Sequence, residues 1–167
     1  MLKQGISMTI KVGDKMPSGK MHTMTSDGPS EVSTDELFSG KKVVLFSVPG
    51  AFTPTCSAKH LPGFVNHAAE LKAKGVDTIA CMAVNDAFVM GAWGDHQKVG
   101  DKVMMLADGN AEYSKALGLE LDLTGVAFGM RGKRFSLLVD DGVVKQVNVD
   151  ESGFSETSAE TMLKQIG

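Results

Sequence analysis

The chain of 167 residues carries 43% hydrophobic and 22% charged residues, enough apolar material for the core of one domain and too little length for two. Its formal net charge of −3 is spread along the sequence, so no basic stripe exists to neutralise a phosphate backbone and nucleic acid is not an expected partner. The longest apolar runs, such as residues 43–48, fall far short of the roughly 18 residues that a membrane span requires, so no membrane-spanning helix and no membrane partner are expected.

Residues 1–7 lack the apolar stretch of about 7 to 15 residues of a secretory leader, and Met8-Thr9-Ile10-Lys11-Val12 reads as a more typical start. An extension over 1–7 and one domain over 8–167 are the expected organisation. The two cysteines, Cys56 and Cys81, are too few for a disulfide scaffold or a four-cysteine zinc site. They fit a reducing compartment, with the cytoplasm as the default.

After an N-terminal stretch rich in Gly, Ser, Thr and Pro, Ser33-Thr34-Asp35-Glu36 matches a capping box and predicts a short helix through Leu37. Residues 41–48 read as a buried strand, since Val43-Val44-Leu45-Phe46 is continuously apolar, and Pro49-Gly50 ends it. From 54 to about 74 the apolar residues recur at helical spacing, with a kink expected at Pro62-Gly63. Strand 77–84, a cap at Asn85-Asp86, a helix from 87 to about 99 and a strand over 103–106 follow. A helix over 111–117 should end at Gly118, with a loop across 119–132. Two strands, 134–139 and 143–149, joined at Asp141-Gly142, form a hairpin, and a helix over 157–166 closes the chain. This order predicts an α/β protein with a mixed central sheet flanked by helices, as in thioredoxin-like folds.

The chemistry is concentrated in Val48-Pro49-Gly50-Ala51-Phe52-Thr53-Pro54-Thr55-Cys56. Thr53 is a suitable N-cap and Pro54 suits the first helical position, which makes Cys56 the third helical residue, with its sulfur near unpaired backbone N–H groups. Such a place favours thiolate over thiol and yields a nucleophile. Such a nucleophile gains further from a fixed cation that stabilises charge as it develops in the reaction. Only two arginines, Arg131 and Arg134, stand against fifteen lysines, both close to the strand that begins at 134, and Arg134 is the candidate. Read singly, Cys56 better suits an inert core thiol, and Pro49 and Thr53 better suit ordinary turn and cap residues, while Arg134 suits a surface charge on an edge strand equally well.

Pro49, Thr53 and Cys56 together match the Pro-x-x-x-Thr-x-x-Cys motif, and the segment through Ser57 and Leu61-Pro62-Gly63-Phe64 resembles the type II, or peroxiredoxin-5-like, peroxiredoxins of the plant and bacterial branch. Val84-Asn85-Asp86-Ala87-Phe88-Val89, Leu106-Ala107-Asp108-Gly109, Leu117-Gly118-Leu119-Glu120-Leu121-Asp122 and Lys133-Arg134-Phe135 extend the likeness across nearly all of 11–166. The resemblance implies a thiol-dependent peroxidase for hydrogen peroxide and organic hydroperoxides, with Cys56 oxidised to a sulfenic acid. It also implies that Thr53 hydrogen-bonds sulfur and peroxide, that Pro49 shields the intermediate, and that Arg134 steadies thiolate and transition state. No metal or organic cofactor is implied, and a homodimer is.

A resolving cysteine found in some relatives near 154–158 is absent here, and Cys81 lies in a predicted central strand 25 residues after Cys56, where burial is its expected role. A one-cysteine cycle resolved by glutathione with glutaredoxin, or by thioredoxin, is therefore expected. The competing readings are a thiol–disulfide oxidoreductase, which should carry Cys-x-x-Cys where position 53 is Thr, and a peroxide-sensing or chaperone-like binding protein that uses Cys56 oxidation as a signal. His60, four residues after Cys56, invites a cysteine–histidine pair or a metal site with His67, against which stands the plainer reading of solvated helix histidines. The eleven methionines are scattered, and core packing explains them better than copper. Phe52, Trp93 and Phe128 suit pocket walls, a dimer contact or plain core equally.

Overall fold

A computed structural model describes residues 9–166; the extension expected over 1–7 lies outside them. In chain order its elements are β1 (Lys20–Thr25), β2 (Gly28–Ser33), α1 (Thr34–Phe38), β3 (Lys42–Ser47), a π-helical turn (Cys56–His60), α2 (Leu61–Asn66) and α3 (Ala68–Ala73). There follow β4 (Thr78–Ala83), α4 (Ala87–His96), β5 (Met104–Ala107), α5 (Glu112–Ala116), β6 (Glu120–Leu123), a 3-10 turn (Thr124–Val126), β7 (Gly129–Gly132), β8 (Arg134–Asp140), β9 (Val143–Asp150) and α6 (Ala159–Ile166). No helix among the described residues is long and apolar enough to cross a membrane.

Seven strands form one sheet in the order β9-β8-β3-β4-β5-β1-β2. The β3, β4 and β5 neighbours are parallel, whereas β8 runs antiparallel to β3 and β9 to β8, so the sheet is mixed, as the thioredoxin-like expectation requires. Continuous apolarity in β3 has a direct cause. Val44 and Phe46 enter a core under α2, α3, α4 and α6, while Val43 and Leu45 enter a second core with α1 and α5. A strand covered on both faces has no polar side to show.

Local signals hold at several ends. Ser33 accepts the Glu36 N–H and Asp86 the Val89 N–H, as the caps predicted. Asp141 and Gly142 both have positive φ, 49° and 80°, which suits the tight hairpin joining β8 to β9. The N-terminal Gly/Ser/Thr stretch, for which no strand is predicted, folds as the β1–β2 hairpin; in β1 only Met21 is buried and in β2 nothing is, so periodicity carried no sign of it. The 119–132 segment is not a loop but the β6–β7 pair, equally poor in buried side chains.

The expected single helix over 54–74 is divided. The Leu61 N–H reaches back five residues to the Cys56 carbonyl, which widens the turn just before Pro62, and the chain breaks again at His67 (φ −102°, ψ 11°). Proline lacks the N–H that would continue regular bonding, so the irregularity falls beside Pro62 rather than on it. Helix α4 stops at His96, short of 99, because Lys98 takes a left-handed φ of 57° and the Val99 N–H returns to Gly94.

Phe46 and Phe64 stack at 4.1 Å under this irregular helix, both wholly buried. Phe64→Ala should cost about 3–5 kcal/mol of unfolding free energy in urea titrations. A loss below about 1 kcal/mol would mean that the stack does not support the helix.

Candidate active site

The site lies where β3 ends. Antiparallel pairing sets Ser47 of β3 against Phe135 of β8, so the first residue of β8, Arg134, stands at the same end of the sheet as the loop that leads to Cys56. One strand reversal thus brings the guanidinium to a thiol 78 residues away in sequence.

That loop is tied down at each step. The Pro49 carbonyl accepts Nη1 of Arg131 at 3.3 Å, and the Ala51 N–H donates to Oδ1 of Asn85 at 3.0 Å. Phe52 takes a left-handed φ of 65°, a conformation that a bulky residue holds only when its surroundings impose it. Space is tight at Gly50, where a Cβ would meet Nη1 of Arg131 at 3.0 Å and the Thr53 methyl at 3.1 Å. Thr53 precedes the helix as predicted, and the Ser57 N–H bonds its carbonyl. Its hydroxyl, however, donates to the Gly50 carbonyl at 2.6 Å rather than to sulfur, because the turn folds that carbonyl directly onto it.

Cys56 is 1% exposed, and Nη2 of Arg134 donates to its Sγ at 3.3 Å. Arg134 is itself 8% exposed, which overturns the reading of a surface charge on an edge strand: β8 is flanked by β3 and β9. Its Nη1 donates to Nδ1 of His60 at 2.8 Å, and the Phe154 ring lies 5.8 Å from the guanidinium carbon. Among the described residues no carboxylate lies within 4.0 Å of this buried cation.

His60 corrects the expectation of a solvated helix histidine. It is wholly buried among Phe46, Phe64 and Phe154, and its Nε2 donates to the Thr157 carbonyl at 3.0 Å. Burial, then the Arg134 charge, lowers its pKa to about 3, so the ring is neutral. With Nδ1 accepting from Arg134, it has no lone pair left to take a proton from the thiol. His67 is elsewhere engaged, at 2.7 Å from Glu70, so the structure does not bring the two histidines together on one ligand.

Cys81 sits wholly buried in β4 between Phe46 and Met105 in register, and burial, reinforced by Cys56, pushes its thiol well up. Of the aromatic candidates, Trp93 is core, with its indole N–H on Ser57 Oγ at 3.0 Å, whereas Phe52 and Phe128 are 51% and 45% exposed. Met82 and Met105 are core residues too. A cleft of about 100 Å³ lined by Pro49, Leu121, Lys133, Arg134 and Asp150 opens beside the guanidinium. Arg131, Asn85, Thr157 and the burial of His60 are the parts that sequence reasoning missed. The i, i+4 spacing of Cys56 and His60 was the one available signal.

The Redoxin family pattern matches residues 11–163. The chain is 54% identical over 164 residues to peroxiredoxin-2E-2, chloroplastic, of Oryza sativa, covering 95% of this chain and 73% of that protein. It is 50% identical over 159 residues to peroxiredoxin-2B of Arabidopsis thaliana, covering 94% and 98%. The structure of reduced Prx3 from Vibrio vulnificus in complex with hydrogen peroxide superposes with a TM-score of 0.92 at 48% identity, covering 95% and 100%.

Because folding holds His60 neutral while the unfolded chain protonates near 6.5, the stability it permits is complete above that pH and is lost as pH falls towards about 3. Urea unfolding of wild type should lose up to about 1.4 kcal/mol per pH unit more than His60→Asn across this window. Parallel pH profiles for the two proteins would contradict a buried neutral His60.

Proposed function

Since the chain belongs to the redoxin family and within it to the peroxiredoxins, thiol-dependent peroxidases, we propose that Cys56 is the cysteine that attacks the peroxide and that Arg134, Thr53 and Pro49 serve it. The carrying observation is the buried guanidinium, whose two terminal nitrogens face a neutral imidazole and the sulfur of Cys56. A buried cation with no carboxylate within 4.0 Å among the described residues is left to stabilise the charge that develops on sulfur and peroxide oxygen as the bond breaks.

The Cys56 thiolate attacks the terminal oxygen of the hydroperoxide. The S–O bond forms as the O–O bond breaks, the sulfur loses two electrons, and the departing alkoxide or hydroxide takes a proton from solvent to leave as alcohol or water. Arg134 donates to the sulfur and to oxygen as charge crosses the breaking bond. Thr53, its proton committed to Gly50, accepts from the peroxide O–H and so fixes which oxygen faces the sulfur. Pro49, half-buried at the cleft, keeps bulk water from the sulfenic acid. These groups complete the chemistry without a metal or organic cofactor.

An external thiol then condenses with the sulfenic acid, releasing water, and a second thiol restores Cys56. Glutathione with glutaredoxin, or thioredoxin, is the proposed source. Cys81 is set inside the sheet in β4, a poor position for a resolving partner. We place the protein in the cytoplasm and as a homodimer, with exposed Phe52 and Phe128 as contact residues.

Cys56→Ser should abolish peroxide consumption with glutathione and glutaredoxin, while Cys81→Ser should keep it within about twofold of wild type. Turnover that disappears in Cys81→Ser while one equivalent of peroxide is still reduced would make Cys81 the resolving residue. Wild-type protein that stops after one equivalent with every thiol donor would make it a sensor rather than a catalyst.

A further inference from the structure

Asp150 is a buried carboxylate without a part in the chemistry above. It closes β9 directly opposite Arg134 in the strand register and is 6% exposed, so the neighbouring guanidinium would be its ordinary partner. Its oxygens turn the other way. They accept from the Ser155 N–H and Oγ, the Glu156 N–H, and the Thr157 N–H and Oγ1, at distances from 2.8 to 3.1 Å. Burial pushes its pKa up, but these donors outweigh burial and hold it below the usual carboxylate range.

The strap 155–157 is thereby wrapped around one carboxylate, and the Thr157 carbonyl is delivered to Nε2 of His60 at 3.0 Å. A carbonyl can only accept, so this contact requires the proton on Nε2 and leaves the lone pair on Nδ1, where Arg134 donates. The opposite tautomer would set an imidazole N–H against a guanidinium N–H and drive Arg134 from its place beside Cys56.

We propose that Asp150 is a positioning residue for peroxide reduction: by anchoring the strap 155–157 it fixes the Nε2–H tautomer of His60, and through His60 it holds Arg134 on the sulfur of Cys56. This rests on Cys56 being the reacting cysteine.

The test is a double-mutant cycle on the full chain, read by stopped-flow oxidation of Cys56 with hydrogen peroxide, together with nitrogen NMR of the His60 ring. Asp150→Asn should slow oxidation about tenfold, a loss typical of a displaced positioning contact, and should mix the His60 tautomers. In a His60→Asn background, where Oδ1 accepts from Arg134 with no tautomer for the strap to set, the same change should matter less than about twofold. Equal losses in both backgrounds, or an unchanged Nε2–H tautomer in Asp150→Asn, would overturn the proposal alone. A wild-type Cys56 that hydrogen peroxide does not oxidise would overturn the reading of Cys56 and the proposal with it. Should Asp150→Asn fail to fold, Thr157→Val removes one hydroxyl donor, keeps the carbonyl, and must show the same dependence on His60.

Discussion

The guanidinium of Arg134 is taken out of water and shared between Nδ1 of His60 and Sγ of Cys56. Desolvating a cation costs several kcal/mol unless its donors are met, and a neutral imidazole meets only one side. The remaining attraction is directed at the sulfur. Everything else near the site keeps that triangle in shape: the Phe46–Phe64 stack beneath His60, the Arg131 and Asn85 ties on the loop before Cys56, and the Trp93 bond to Ser57 beside it.

Topology explains how residues so distant in sequence meet. Parallel β3 and β4 need covering helices, and the first turn after β3 presents Cys56 at the carboxyl end of that strand. The reversed strand β8 begins at that same end, so its first residue reaches the thiol without crossing the core. The π-helical turn at Cys56–His60 keeps both side chains inward, which a solvated helical face would not.

The sequence made much of this legible, but unevenly. The apolar run of β3, the Asp86 cap and the Asp141-Gly142 turn are local signals whose causes lie within a few residues, and they hold. Thr53 and Pro54 likewise marked the helix start. The β1–β2 and β6–β7 hairpins bury almost nothing, so no periodicity could announce them. Burial of His60 depends on Arg134 and Thr157, 74 and 97 residues away, and was invisible locally. Burial of Asp150 depends likewise on the strap 155–157 folding back over the end of β9, which no local pattern announces.

The most direct measurement is the rate at which hydrogen peroxide oxidises Cys56 in a single turnover, followed through the fluorescence of Trp93, for wild type and Arg134→Ala. Removal of the guanidinium should slow oxidation by about a hundredfold or more, the scale of a lost donor to developing charge. A rate within about threefold of wild type would show that the sulfur reacts without its buried cation, and would contradict the account.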